Sequence, residues 1–348
     1  MKTRNTGDID LKREEFQSLG IAYKPVPAGE PMKSCLLILQ RHFYSFEKLI
    51  REALESKGYS VVVANDEYPE GTFGKILGKL QIPLVFRFTY DTLTKRFLNN
   101  RKYNLALIIH GRGISERLIK QIYRSADRIV GYNWDSFQLN RAPLKWYRLV
   151  TKYYTFDYRD ADRWSLPVVE LFSSSANVTE KKELKYQLSA VVRIHSNRLA
   201  YIDRVVSILK PENVFISLYE LHWITFAINL LKSPRLYFKY LRFISFRPLP
   251  YSKYAEVMRS SEFTIDCAHE TQTGITMRCF EAINMKTKII TNNPYMRRSS
   301  HFDDADYIVF GDSDSTETLV DAHVRCQAKP YASVPRTISH FIDELVSE

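Results

Sequence analysis

Short apolar runs of strand length alternate with longer segments of helical period, and this alternation does most to limit what the chain can fold into. SCLLILQ (34–40) reads as a strand, FEKLIREALESKG (46–58) as a helix closed by Gly58, and YSVVVAND (59–66) as the next strand. YNLALIIHG (103–111), ISERLIKQIYRSA (114–126) and DRIVGYNWD (127–135) repeat strand, helix and strand. The second half begins again with LSAVVRIHS (188–196, strand then loop), NRLAYIDRVVSIL (197–209, helix) and NVFISLY (213–219, strand). YSKYAEVMRSS (251–261, helix), FTIDCA (263–268, strand), ITMRCFEAINM (275–285, helix) and KIITNN (288–293, strand) continue it. Parallel strands need long crossovers, and helices supply them, so the expected fold class is α/β with two Rossmann-like doubly wound domains facing a cleft, plus a C-terminal helix. The expected boundaries are 1–172 for the first domain, 173–187 for a polar linker, 188–332 for the second domain and 333–348 for the terminal helix, with Pro335 early in it. Ligands of such sheets bind beyond the carboxyl ends of the strands.

With 348 residues, 45% hydrophobic and 26% charged, the chain can bury two cores, which sets aside disorder, collagen and coiled coil. The longest clean apolar stretch, Trp223 to Leu231, falls short of the ~20 residues that cross a bilayer. MKTRNTGDIDLKREEFQ resembles neither a secretory nor a transit peptide, and the four cysteines contain no C-x-x-C pair. The expected location is therefore cytoplasmic, at most peripheral on the inner face of the cytoplasmic membrane. Residues 1–175 hold 28 basic against 19 acidic residues, and the remainder 22 against 20. The excess concentrates between Lys95 and Arg128, where the only acids are Glu116 and Asp127. Either an anionic partner or a merely solvated basic surface accounts for it.

FTIDCAHETQTGITMRCFEAINMKTKIITNN (263–293) carries the most chemistry. A strand ends at Ala268, a loop rich in His, Thr and Gly follows, and a helix begins near Ile275 or Thr276. That order points unpaired amides and the positive end of a helix at a diphosphate. Gly274 permits close approach, Thr273 and Thr276 offer hydroxyls, and Glu281 on the second turn can accept bonds from two ribose hydroxyls. Equally, Glu281 can pair with Arg278 while Thr273 or Gly274 caps the helix.

Asp266, His269, Gln272, Gly274, Ile275, Thr276, Arg278, Glu281, Ala282, Lys288, Ile290, Thr291 and Asn292 fit a pattern resembling the nucleotide-sugar segment of bacterial GT-B-type glycosyltransferases. The likeness is strongest to a group associated with lipopolysaccharide core, O-antigen and capsule synthesis. YNWDS (132–136), YTFDYRDADRW (154–164) and the H-S-x-R of IHSNR (194–198) are similar to the same group. A departure stands at Val192 and Arg193, where many members end the strand in glycine. The resemblance implies a GT-B-like donor site in the second domain. In it Thr273, Gly274, Ile275 and Thr276 hold the diphosphate, Glu281 binds ribose, and Arg278 or Arg198 offsets phosphate charge. His195, His269 and Gln272 flank this set. No metal or resident cofactor is implied, the nucleotide-sugar being a co-substrate; DSD (312–314) reads as a turn.

On the acceptor side His110, Asp135, Asp157 and Asp160 end predicted strands and are candidate bases. His110 has a plain alternative as a loop-edge histidine, and Asp135 as a cap of the turn after its strand. LKSPRLYFKYLRFISFRPLP (231–250) alternates basic and aromatic residues. It fits an anionic membrane, single-stranded nucleic acid or a partly buried packing segment, and the stripes Ile114, Leu118, Ile122 and Arg117, Lys120, Arg124 fit a membrane or an ordinary core face. The expected function is a glycosyltransferase acting on a lipid-linked or lipopolysaccharide/capsule-type acceptor, with nucleic acid an unexpected partner. The alternatives are a nucleotide-sugar epimerase or hydrolase, and a non-catalytic binder of anionic polymers.

Overall fold

The computed structural model describes residues 32–40, 46–174 and 181–347; the N-terminal stretch and part of the expected linker, 175–180, lie outside them. The described chain divides into two compact units. The first comprises the residues up to Ser174, then Thr271–Gly274 and Thr337–Ser347; the second comprises 181–270 and 275–336. The expected boundaries thus shift in two places: the tetrapeptide 271–274 and the C-terminal helix both cluster with the first unit.

In the first unit β1 (Lys33–Leu39), β2 (Tyr59–Asn65), β3 (Tyr103–Ile109), β4 (Ala126–Asn133) and β5 (Lys152–Thr155) form one parallel sheet in the order β2-β1-β3-β4-β5. Leu36 lies opposite Val62 on one side and Ala106 on the other. Cys35 to Leu39 are fully buried, which explains why β1 is continuously apolar: helices cover both faces of a parallel sheet. The sequence reading left residues 67–102 unassigned, and helices Thr72–Lys79 and Pro83–Leu93 occupy much of that stretch. Pro83 sits in the first turn, where its missing N–H costs nothing.

The helix expected over 114–126 contracts to Glu116–Ile122, because the Ser115 hydroxyl caps it by accepting from the Leu118 amide. Ile114, Leu118 and Ile122 are fully buried, so that stripe is core and not a membrane face. The C-terminal helix begins at Ile338, later than expected, with Pro335 ahead of it and Thr337 as cap. Phe341 packs on Tyr132 and Phe172 at 5.0 and 4.8 Å between ring centres. The Arg128 guanidinium donates to the carbonyls of Val346 and Ser347, meeting the negative end of the helix.

The second unit holds a six-stranded parallel sheet. Its strands are β6 (Tyr186–Arg193), β7 (Val214–Tyr219), β8 (Ile244–Ser245), β9 (Ser261–Asp266), β10 (Lys288–Thr291) and β11 (Tyr307–Val309), in the order β11-β10-β9-β6-β7-β8. Counted from its own first strand this is the doubly wound order 3-2-1-4-5-6. Leu199, Ile202 and Val205 of helix Arg198–Leu209 recur at helical spacing and pack with Ala190, Phe263 and Ile265 in one core. Strands β8 and β11 and helix Thr316–Ala328 escaped the sequence reading. Among the described residues no helix is long and apolar enough to cross a membrane.

Candidate functional site

Each sheet has a switch point where the winding reverses, and both place titratable or cationic side chains there. In the first unit the reversal lies between β1 and β3. Asp66 follows β2, His110 follows β3 and Asp135 lies two residues beyond β4. The His110 imidazole is almost fully buried; its Nδ1 lies 2.9 Å from Asp66 Oδ2 and its Nε2 3.4 Å from Asp135 Oδ2. The Asn140 amide donates to the His110 carbonyl at 2.7 Å, and the Arg112 amide donates to Asp66 Oδ2 at 3.1 Å. His110 adopts a left-handed backbone, φ 72°, a conformation that packing must enforce on a non-glycine residue.

Burial works against the His110 charge, but the bonds to Asp135 and Asp66 outweigh it and lift its pKa to about 9. The two carboxylates favour its charged form, which the Arg112 guanidinium, 3.1 Å from Nε2, opposes. At Asp135 burial raises the pKa, but the His110 bond and charge, Arg112 and Gln272 together bring it below the ordinary carboxylate value. Its side chain is 31% exposed, and the Gln272 amide donates to its Oδ1 at 3.0 Å.

Asp157 departs from its expected role. One carboxylate oxygen caps helix Tyr158–Trp164 by accepting from the Asp160 amide at 3.0 Å. The other accepts from the Thr273 and Gly274 amides at 2.5 and 3.4 Å. Asp157 is buried, and both of its oxygens are engaged as acceptors in these structural contacts. The same contact revises the expected diphosphate loop: the Thr273 and Gly274 amides already face an anion, this chain's own carboxylate. Gly274 is required there by Phe156, whose ring carbon Cδ2 lies 2.3 Å from where a Cβ would stand. Asp160 is also structural, accepting from the Phe137 amide at 2.5 Å; burial, with Asp157 adding, raises its pKa to about 6.

In the second unit the reversal lies between β6 and β9, and a cavity of about 200 Å³ opens there, lined by Asn197, Arg198, Tyr201, Arg204, His269 and Asn292 among others. Helix Arg198–Leu209 starts at its wall with no side-chain cap on its amides. The Arg198 Nε is buried without a hydrogen-bond partner. Burial and then Arg278 disfavour the Arg198 charge, a mark of crowded cations. Burial, with Arg198 and His269 adding, lowers the His195 pKa to about 4 and keeps that ring neutral. The His195 and His269 rings are 5.5 Å apart.

The remaining expected donor residues divide. Thr276 and Arg278 both donate to Asp266 Oδ1, at 2.7 and 3.1 Å, so Arg278 pairs with the end of β9. The Ile275 side chain belongs to the core. Glu281 is nearly buried, and its Oε2 accepts from the Tyr254 hydroxyl at 2.8 Å. The DSD string closes a turn through a bond from the Gly311 amide to Asp314 Oδ2. Sequence reasoning missed Asp66, Arg112, Asn197 and Arg204. Asp66 alone had a signal, as the carboxylate ending YSVVVAND at a strand end.

A scan against protein-family models finds no match, and neither does a sequence search of curated proteins. Solved structures do match in fold. The lipopolysaccharide outer core galactosyltransferase WaaB has a TM-score of 0.57 at 9% identity, over 90% of this chain and 96% of that one. The Methanocaldococcus jannaschii UDP-GlcNAc 2-epimerase has a TM-score of 0.53 at 14% identity, over 91% and 99%. HepE of Anabaena, solved with UDP-glucose, has a TM-score of 0.52 at 10% identity, over 90% and 94%. The chain therefore has the two-domain α/β fold shared by GT-B glycosyltransferases and UDP-GlcNAc 2-epimerase.

Proposed function

We propose that the chain is a glycosyltransferase that moves a sugar from a nucleotide-sugar to a lipid-linked or lipopolysaccharide/capsule-type glycan, acting in the cytoplasm. The observation that carries the reading is the cavity beyond β6 and β9, where an uncapped helix N-terminus meets the partnerless Nε of Arg198. Crowded cations in a partly desolvated site favour a multivalent anion. A nucleoside diphosphate gains charge as the glycosidic bond breaks, so donors aimed at it lower the barrier more than they strengthen ground-state binding. Arg198 is the proposed phosphate contact, with His269 and neutral His195 beside it. Glu281, steadied by Tyr254, is the proposed ribose contact. On the acceptor side Asp135 is proposed to accept the hydrogen bond of the attacking hydroxyl, with the His110 imidazolium and Gln272 holding the carboxylate in position.

The test is calorimetric titration with UDP-, GDP-, CMP- and dTDP-sugars. One nucleotide class should bind, and Arg198→Ala should weaken it by roughly 10- to 100-fold, the worth of a charge-assisted hydrogen bond. Unchanged affinity in the variant removes the assignment. Because the fold is shared with an epimerase, product analysis with donor alone separates the readings: conversion of the sugar without acceptor identifies an epimerase or hydrolase.

A further inference from the structure

Helix Trp223–Lys232, WITFAINLLK, is built inside out. It is strongly apolar, yet none of its residues is fully buried. Two of its polar side chains, Thr225 and Asn229, reach the buried carboxylate that precedes the helix. The carboxylate of Glu220, 1% exposed, accepts from the Thr225 hydroxyl at 3.1 Å and the Asn229 amide at 3.0 Å. The Tyr237 hydroxyl, on the following helix Pro234–Tyr240, donates to the same carboxylate at 2.7 Å. Phe226 and Leu230 lean on the core, but Trp223, Ile224, Ile228 and Leu231 point outward, with Trp223 71% and Leu231 83% exposed. These four recur at helical spacing and share one face. Phe238, Leu241 and Phe246 extend the exposed apolar surface along the next segment.

The charge around this face has one sign. From Leu221 to Ala255 the chain contains no acidic residue, while Lys232, Arg235, Arg242 and Arg247 are exposed. Lys239 is committed to Asp203 at 2.5 Å, and Lys253 pairs with Glu256, so neither is counted. Water-exposed leucine, isoleucine and tryptophan in a segment whose charges are all basic are unfavourable in water alone and complementary to an anionic bilayer surface.

We propose that the outer face of residues 223–247 docks on anionic phospholipid. Trp223, Ile224, Ile228 and Leu231 enter the boundary between headgroups and acyl chains, and the four basic residues meet lipid phosphates. The inference stands on this surface alone and does not depend on the catalytic reading. A second copy of the chain fits less well, since a two-fold contact sets basic residues against basic residues. Single-stranded nucleic acid fits less well too, because aliphatic side chains offer no stacking platform.

The experiment is co-sedimentation of the full chain with vesicles of phosphatidylcholine alone and of phosphatidylcholine mixed with phosphatidylglycerol. Binding should require phosphatidylglycerol and weaken with salt. The triple variant Ile224→Ser, Ile228→Ser, Leu231→Ser should bind at least about tenfold more weakly, with its melting temperature held, since these side chains lie outside the core. Lys232→Gln with Arg235→Gln should cost about fivefold per charge. Brominated lipid in the wild-type assay should quench part of the tryptophan emission, which reads insertion with no substitution at all. Lack of binding to the anionic vesicles, lack of quenching, or full binding by the triple variant overturns the proposal. So does a dimer in sedimentation velocity that the triple variant abolishes, or displacement of vesicles by an equal charge of single-stranded oligonucleotide.

Discussion

Raising the pH from 6.5 to 9 should strip the first unit of the stability that its buried histidine supplies. His110 is raised from the ordinary 6.5 to about 9, so the folded state holds this proton more tightly than the unfolded chain does. Its contribution is complete below pH 6.5 and is lost as the pH climbs through about 9. A shift of this size corresponds to roughly 3 kcal/mol at 1.36 kcal/mol per unit, and the group is buried enough to escape solvent screening. Asp135 works in the opposite window: its pKa is depressed, so its contribution is present above the ordinary 3.8 and disappears only in acid. The assay is urea unfolding of the wild type and His110→Gln, followed by tryptophan emission at a series of pH values. Trp134, Trp146 and Trp164 lie in the first unit and the exposed Trp223 in the second, so the buried part of the signal reports on the right part of the chain. Between pH 6.5 and 9 the wild type should lose its advantage over the variant. A gap between the two that stays constant across that range refutes the imidazolium clamp between Asp66 and Asp135.

Gly274→Ala should lower stability by about 1–3 kcal/mol, because its Cβ would stand 2.3 Å from Phe156 Cδ2 and 2.7 Å from the Phe156 carbonyl oxygen. A melting temperature equal to the wild type's would show that the loop yields freely. Asp157→Ala removes a helix cap and leaves the Thr273 amide without this acceptor, for a loss of roughly 2–4 kcal/mol. Hydrogen exchange should quicken at Thr273 and Gly274 in that variant, and unchanged protection there would contradict the contact.

Most of the framework is legible in local sequence. A run such as Cys35 to Leu39 can only be buried on both sides, and its alternation with helical segments implies parallel sheets. The places where strands end, and so His110, Asp135 and Asp266, follow from the same pattern. Short elements without a clear period, such as β5 and β11, gave no such signal. Periodicity also cannot say which way an apolar helix faces. Ile114 and Leu118 turn inward, whereas Ile228 and Leu231 turn out, on a helix whose Thr225 and Asn229 side chains donate to the buried Glu220 carboxylate. Partnership is the part that tertiary structure alone decided. The Thr273 amide and the Asp157 carboxylate are 116 positions apart, and Asp66 and His110 are 44 apart. Residue type and spacing tell that an amide can bind an anion and that a histidine can take a proton. Which anion and which carboxylates they meet depends on chain segments that only folding brings within hydrogen-bond distance.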